Sequence, residues 1–160
     1  KFESINIDII NKTNYIPYYL YIDYSNLCKD IGLGIFCKKK IEKNKFLGNY
    51  TGNVYFNKTC KIDNCKYNYS TIINNQKCII CAAKNNSNWT KYMNSSLENK
   101  LKENVIPIIC SNKDTYITKD NKYINLNGYI MFYAKRDIDV GEELLFDYGE
   151  QYNNSLKMLT

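Results

Sequence analysis

The sequence is rich in tyrosine, a side chain whose hydroxyl group can take part in chemistry. The 160 residues include 16 tyrosines but no histidine. Without histidine the chain cannot form Ser-His-Asp or Cys-His triads, His-ligated zinc sites or histidine general bases. Any chemistry must therefore rest on Tyr, Lys, Asp, Glu or Cys, on backbone groups, or on a bound cofactor.

Cysteines are the second chemical feature, and there are seven of them. An odd count in a chain long enough to bury a core favours a reducing compartment. Cys60, Cys65, Cys78 and Cys81 have a spacing that a four-thiolate zinc site could use. Cys78 and Cys81, however, fall on a predicted strand, where residues i and i+3 face opposite sides. We predict no metal site and keep zinc as the alternative.

Three separated segments carry the most specific motifs. The first is Gly32-Leu33-Gly34-Ile35-Phe36 with residues 45–52, and the second is residues 88–95. The third, residues 134–149, reads A-K-R-D-I-D-V-G-E-E-L-L-F-D-Y-G. A lone Gly-x-Gly has little meaning, but three segments in this order are far more specific.

Short strands must position these segments. Alternating and apolar runs predict strands, with a polar turn at 38–45, an inserted hairpin or loop at 111–127, and short helices at 98–103 and 151–159. The predicted strands are 16–22, 32–37, 46–55, 67–73, 77–83, 105–110, 129–134 and 143–148. The length fits a single domain, residues 1–160, which we expect to be part of a longer protein. The fold class is mainly β with short helices (α+β).

Together the three segments resemble the SET-domain protein lysine methyltransferases. Residues 88–94 and the Tyr69-Ser70 pair resemble the PR branch of that superfamily. The resemblance covers residues 31–149 and implies the SET-domain β-clip fold, in which the Asn94 and Tyr148 segments meet in a knot-like C-terminal crossing. It also implies S-adenosylmethionine (SAM) as cofactor.

The resemblance implies a role for individual residues around the cofactor. Backbone groups would face SAM at Ile31, Gly32, Leu33 and Gly34, where glycine allows close approach. Side chains from three further positions would complete the cofactor site: Asn94 and Ser95 at the adenine and amino-acid ends, and Tyr69 alongside. A plain β-turn at residues 31–34 is the alternative.

The reaction-centre residues implied by the resemblance are aromatic. Tyr148 matches the catalytic tyrosine, and Tyr50 matches a tyrosine near the transferred methyl group. Phe132 and Phe146 would line the lysine channel, and Phe rather than Tyr at 146 leaves room for di- or trimethylation. Tyrosine oxygens can polarise a methyl group through C–H···O contacts, and an apolar channel lowers a lysine pKa. The alternative for all four is an ordinary core aromatic.

Several positions depart from the family pattern. The usual Asn-His-Ser is Asn94-Ser95-Ser96, the usual Ile-Asp-Ala is Ile80-Cys81-Ala82, and the cysteines of a zinc-binding post-SET segment are absent. These changes support a second hypothesis, a weakly active or inactive PR-type domain that acts as an interaction module in chromatin regulation. SAM binding would separate the two hypotheses.

Charge gives a last indication about partners. The net charge is +6, but Arg136 is the one arginine, so direct nucleic-acid binding is not expected as the main role. Acidic residues in the third segment could form a rim that steers a histone or another basic tail. Within it, we expect Glu143 to be a buried acceptor for backbone donors. The resemblance implies a nuclear protein, and no apolar run approaches the ~18 residues of a membrane span.

Overall fold

A computed structural model of the protein describes residues 5–27, 30–56, 67–73, 76–82, 88–96, 102–109, 116–117, 123–124 and 130–148. The described elements are strands with one α-helix and one 3₁₀ turn. They are α1 (Ile7–Thr13), β1 (Leu20–Tyr24), β2 (Leu33–Cys37), β3 (Phe46–Tyr50), β4 (Asn53–Phe56), β5 (Asn68–Ile73), β6 (Gln76–Cys81), the 3₁₀ turn (Trp89–Tyr92), β7 (Asn94–Ser95), β8 (Val105–Ile109), β9 (Tyr116–Ile117), β10 (Tyr123–Ile124), β11 (Ile130–Ala134) and β12 (Leu145–Phe146). No helix among these residues is long and apolar enough to cross a membrane.

The strands form four small sheets. The largest has the order β5-β6-β4-β10-β9, with antiparallel neighbours throughout. A three-stranded sheet has the order β3-β11-β8. The remaining two sheets are the antiparallel pair β1-β2 and the parallel pair β12-β7. The fold is thus mainly β, as the sequence predicts.

The chain divides into two compact units, each assembled from separated segments. The first unit comprises Lys1–Lys45, Tyr92–Ile106 and Tyr133–Thr160. The second comprises Phe46–Lys91 and Pro107–Phe132.

The core of the first unit forms around the β1-β2 hairpin. Ile22 and Ile35 are buried and opposite each other in the antiparallel register. Ile41 is also buried, and its backbone exchanges hydrogen bonds of 3.0 and 2.9 Å with Ile138. This isolated bridge holds the lysine-rich turn 38–45 against the segment that precedes β12.

The parallel β7-β12 pair is the part of the first unit that brings two sequence motifs together. Leu145 pairs with Asn94 and Phe146 with Ser95. Buried Asn104 reinforces β12, because its side-chain amide donates to the Glu143 carbonyl and its oxygen accepts from Leu145 N–H, both at 2.9 Å. The Asn94 and Tyr148 segments therefore meet, as the resemblance implied.

The second unit contains the predicted hairpin and the predicted insert. Strands β5 and β6 pair from Asn68↔Cys81 to Ile73↔Gln76, which confirms the hairpin around residues 74–75. Within residues 111–127, β9 and β10 form a hairpin whose second strand pairs with β4.

Two predicted strands, 16–22 and 46–55, have different boundaries in the structure. The predicted strand 16–22 begins only at Leu20, because Pro17 and the following tyrosines form a turn closed by a 2.9 Å bond from Leu20 N–H to the Pro17 carbonyl. The predicted strand 46–55 is two strands separated at Gly52. A Cβ at Gly52 would lie 2.6 Å from the Cys81 carbonyl carbon, so the chain turns where only glycine fits.

Helix α1 was not predicted. It begins after Asn6, whose side chain accepts a hydrogen bond from Ile9 N–H, a normal N-cap. Among the predicted helices, 151–159 lies outside the described residues, as does most of 98–103.

Candidate active site

The glycine segment comes directly before and into β2. Gly32 has φ +89°, a conformation that favours glycine, and its carbonyl accepts from Ser25 N–H at 2.8 Å. Gly34 is buried against Glu143 and Asn94. A Cβ at Gly34 would overlap the Glu143 carboxylate and lie 3.3 Å from Asn94 Nδ2. At residue 34 there is room for glycine only, because any side chain would displace Glu143 or Asn94.

Asn94 has its side-chain orientation fixed by both of its amide hydrogens. Nδ2 donates to the Leu33 carbonyl at 2.9 Å and to Glu143 Oε1 at 3.0 Å. No described residue donates to Oδ1. Asn94 therefore presents a hydrogen-bond acceptor beside the glycine segment.

Glu143 is the hub that joins these segments. Its carboxylate accepts from Ser25 Oγ at 2.8 Å, from Asn26 N–H at 3.0 Å and from Asn94 Nδ2. Backbone donors were predicted for Glu143, but only one of the three donors is a backbone N–H and the other two are side chains. Ser25 and Asn26 were not identified from the sequence, because nothing in their local pattern indicates a partner more than 100 residues away.

Residues of β12 bring aromatic side chains to the same unit. Phe146 is fully buried, and its ring centroid lies 4.4 Å from that of half-buried Tyr148. The Tyr148 hydroxyl donates to the Met93 carbonyl. Ser95 is buried in register with Phe146. Ser96 is also buried, and its Oγ has no hydrogen-bond partner among the described residues.

The second unit holds a separate cluster of three aromatic rings. The centroid of Tyr50 lies 5.5 Å from Tyr69 and 6.4 Å from Phe132, and the centroids of Tyr69 and Phe132 are 6.5 Å apart. Tyr50 and Phe132 are buried, and the Tyr50 hydroxyl donates to the Tyr67 carbonyl at 2.9 Å. Tyr50 and Phe132, which the resemblance gives to the reaction centre, are thus in ring contact with Tyr69, which it gives to the cofactor site.

Neighbouring contacts fix the strand that carries Tyr50. The Asn49 carbonyl accepts from Asn88 Nδ2 at 2.8 Å and from Thr90 Oγ1 at 3.1 Å. Lys91 lies with Nζ 5.6 Å from the centroid of the Tyr67 ring, and burial lowers the pKa of its ammonium group. The 88–91 part of the second motif therefore supports β3 in the second unit.

The cysteines differ from the expected free thiols at one position. Cys81 is disulfide-bonded, and a disulfide sulfur cannot serve as a thiolate ligand. Cys60 and Cys65 lie outside the described residues. No group of three or more metal-ligating side chains occurs among the residues that the structure describes.

The acidic residues of the third motif are partly neutralised. Glu142 forms a bidentate pair with Arg136, with bonds of 2.8 and 3.1 Å, and Asp137 lies 3.8 Å from Lys40 Nζ. The hydrogen bonds from Arg136 lower the pKa of Glu142. Since Glu143 is buried, the expected acidic rim is weaker on this surface than the sequence suggests.

Comparison with known proteins assigns the family. A family model described as SET domain matches residues 32–149. The methyltransferase domain of human PR domain-containing protein 2 superposes with a TM-score of 0.60 at 20% identity, covering 94% of this chain and 95% of that chain. ATXR5 in complex with histone H3.1 mono-methylated on R26 gives 0.60 at 20%, covering 83% and 57%.

A larger assembly contains a similar fold. Polycomb repressive complex 2 of Chaetomium thermophilum gives a TM-score of 0.55 at 24% identity. The match covers 82% of this chain but only 15% of that chain. Another structure, of ctPRC2 in an autoinhibited conformation, is bound to S-adenosylmethionine. No curated protein matches the sequence.

The chain belongs to the SET-domain family, because the family model matches most of its length. This family comprises protein lysine methyltransferases whose cofactor is SAM, which confirms the predicted SET-domain resemblance, and the PR domain of known structure has a similar fold.

Proposed function

We propose that the protein transfers methyl groups from SAM to lysine side chains of histone tails, and that it is capable of di- and trimethylation. The observation that carries the proposal is the set of contacts by which Asn94, Gly34 and Glu143 join the three motifs. The solved structures with histone H3.1 and SAM support the choice of substrate and cofactor. Chromatin proteins as partners and a nuclear location are part of the same proposal.

The residues present fit SAM. Asn94 has both amide hydrogens engaged, so its Oδ1 can accept a hydrogen bond from the α-ammonium group of an amino acid. Ser96 Oγ is a buried hydroxyl without a partner in the part of the chain that the structure describes, and a bound polar group would supply one. We assign cofactor contacts to Ile31, Gly32, Leu33, Gly34, Tyr69, Asn94 and Ser95.

Tyrosines carry the proposed chemistry. The cofactor, when bound, supplies an electrophilic methyl group on a sulfonium. Tyr148 and Tyr50 each donate their hydroxyl hydrogen to a backbone carbonyl, which holds the phenol oxygen in place and leaves its lone pairs as acceptors. Such oxygens can orient an amine and receive C–H···O contacts from a methyl group.

Phe132 and Phe146 are proposed to shape the lysine channel. Both are fully buried, so they present apolar surface and no hydroxyl. An apolar environment favours the neutral amine, the form that attacks the methyl group. A residue without a hydroxyl at 146 binds no water there, which leaves space for a methylated amine.

The test is methyl transfer to core histones and to histone-tail peptides, read by mass spectrometry. We expect di- or trimethyl lysine from the wild type, and a rate lower by about 100-fold for Tyr148→Phe, because orientation of the reacting groups is lost. Tyr18→Phe, at an exposed tyrosine of the same unit, should match the wild type. A wild type that gives only monomethyl lysine would refute the assigned product range, and equal rates for both variants would refute the role of Tyr148.

A further inference from the structure

Glu143 is a buried carboxylate without a cationic partner among the described residues. Its side chain is 8% exposed and accepts hydrogen bonds from three neutral donors, on Ser25, Asn26 and Asn94. Neutral donors solvate a carboxylate, but they do not cancel its charge. The described neighbours of Glu143 therefore leave its negative charge uncompensated.

The adjacent glutamate shows the contrast. Glu142 is less buried, yet it has a bidentate arginine partner. Burial of an unpaired charge is unfavourable, and removing the cation from a buried pair is strongly destabilising. Among the described residues Glu143 has its three donors in place and no cation, and this arrangement points to a cationic ligand as a partner.

The position of Glu143 indicates which ligand this is. Its carboxylate lies directly behind Gly34 and bonds to Asn94, two residues assigned above to cofactor contacts. SAM carries a sulfonium and an ammonium against one carboxylate, a net charge of about +1 at neutral pH, since the ammonium and carboxylate are both ionised there. Its demethylated product, S-adenosylhomocysteine, has lost the sulfonium charge.

We infer that Glu143 is a specificity-determining residue that makes the cofactor site prefer SAM over S-adenosylhomocysteine by electrostatic attraction to the cationic cofactor. The inference rests on the proposed function. In methyl transfer the lysine nitrogen lone pair forms the new N–C bond while the S–C bond breaks and its electron pair passes to sulfur. The positive charge moves to the methylated amine, so the attraction to Glu143 ends as the product forms.

The attraction to Glu143 favours the exchange of S-adenosylhomocysteine for SAM and does not make the chemical step faster. A negative charge that attracts the cationic cofactor also stabilises the bound reactant, so it does not by itself lower the barrier. It does favour displacement of a neutral product by a cationic cofactor. Product inhibition should therefore be stronger when the charge on residue 143 is removed.

The experiment is calorimetric titration of the whole chain with SAM and, separately, with S-adenosylhomocysteine. The wild type should bind SAM more tightly. Glu143→Gln, similar in size but neutral, should lose about tenfold in SAM affinity, the order expected for one charge interaction in a protein, and less than about threefold for the product. Ser25→Ala removes one bond to the same carboxylate but keeps its charge, so its ratio of affinities should stay that of the wild type.

A second measurement covers the case in which Glu143→Gln does not fold. The wild type should bind an analogue with a protonated amine in place of the methylsulfonium more tightly than it binds S-adenosylhomocysteine. An equal loss of affinity for both ligands in Glu143→Gln, or equal affinities for the two ligands in the wild type, would overturn the inference and leave the proposed function intact. A wild type that binds neither ligand would instead overturn the proposed function and the inference with it.

Discussion

A single side chain, Asn94, connects the motifs of the first unit at the residue scale. It bonds to Leu33 in the glycine motif and to Glu143 in the C-terminal motif, although these residues are 61 and 49 positions away. The hydrogen bonds explain why the three motifs must occur together: each one supplies a partner that the others need.

Gly34 is the residue at which this arrangement is most sensitive to added volume. Gly34→Ala would place a methyl group 2.9 Å from Glu143 Cδ, and we expect a loss of about 1–3 kcal/mol in the free energy of unfolding because the neighbours must shift. SAM affinity should fall at least about tenfold, which corresponds to about 1.4 kcal/mol. Urea denaturation and calorimetric titration measure the two effects.

Gly141→Ala is the matched control, since a Cβ there meets nothing within 4 Å. Its positive φ of +88° costs about 1–2 kcal/mol of stability, but SAM affinity should remain that of the wild type. Full SAM affinity in Gly34→Ala would contradict the role given to this segment.

At the element scale, the short strand pair β7-β12 depends on a side chain outside both strands. Strands of two residues each form few ladder bonds, and buried Asn104 supplies additional bonds at Glu143 and Leu145. This side chain completes the edge of β12 where no further strand pairs with it among the described residues.

Asn104→Ala should therefore destabilise the protein well beyond an average surface change. It leaves the buried Leu145 N–H and the Glu143 carbonyl without these bonds, at about 1–3 kcal/mol for each group left unsatisfied. Urea denaturation measures the loss, with exposed Lys102→Ala as a control expected within about 0.5 kcal/mol of the wild type. Equal stabilities for the two variants would show that Asn104 does not support β12.

Which elements could be predicted depended on how local their causes are. The β5-β6 hairpin and β2 were predicted because alternation and turn residues specify them nearby in sequence. The break at Gly52 and the start of β1 were missed, since one follows from close approach to Cys81 and the other from a turn after Pro17. Helix α1 has no buried residues, so it lacks the apolar period that reveals a helix.

At the scale of the whole molecule, the charge is distributed differently from the sequence pattern. The basic excess includes the exposed lysine turn 38–45, while the acidic third motif is divided among an arginine pair, a lysine contact and a buried carboxylate. Sequence could identify the acidic residues, but the contact of Asp137 with Lys40 joins distant segments that the bridge between Ile41 and Ile138 holds together.

The Arg136–Glu142 pair gives a pH dependence with a definite sign. Because hydrogen bonds from Arg136 lower the folded-state pKa of Glu142, its contribution is present above the unfolded-state pKa and is lost as pH falls through the lower folded-state value. Glu142→Gln should cost up to about 1 kcal/mol at neutral pH, since both side chains are partly exposed.

Denaturation of both proteins from neutral pH to below the unfolded glutamate pKa of about 4.3 measures this contribution. The stability difference between wild type and Glu142→Gln should shrink toward the acid end. Glu42→Gln, at an exposed glutamate without an ion pair among the described residues, is the control and should follow the wild type. A difference that stays constant with pH would contradict the role of the ionised pair.

The candidate site could be predicted in its residue types but not in its connections. Asn94, Gly34 and Tyr148 were identified from the resemblance of the three motifs to the SET family, and the structure places them in one unit. The hub role of Glu143 toward Ser25 and Asn26 was not visible, because hydrogen bonds over more than 100 residues leave no local signal.

Binding of SAM tests the central claim most directly, because it needs no knowledge of the substrate. Calorimetric titration of the wild type and of Tyr148→Phe should show micromolar binding for both, since Tyr148 is assigned to orientation of the amine and methyl group rather than to cofactor contacts. Absence of binding by the wild type at millimolar SAM would contradict the claim that this chain forms the cofactor site of a lysine methyltransferase.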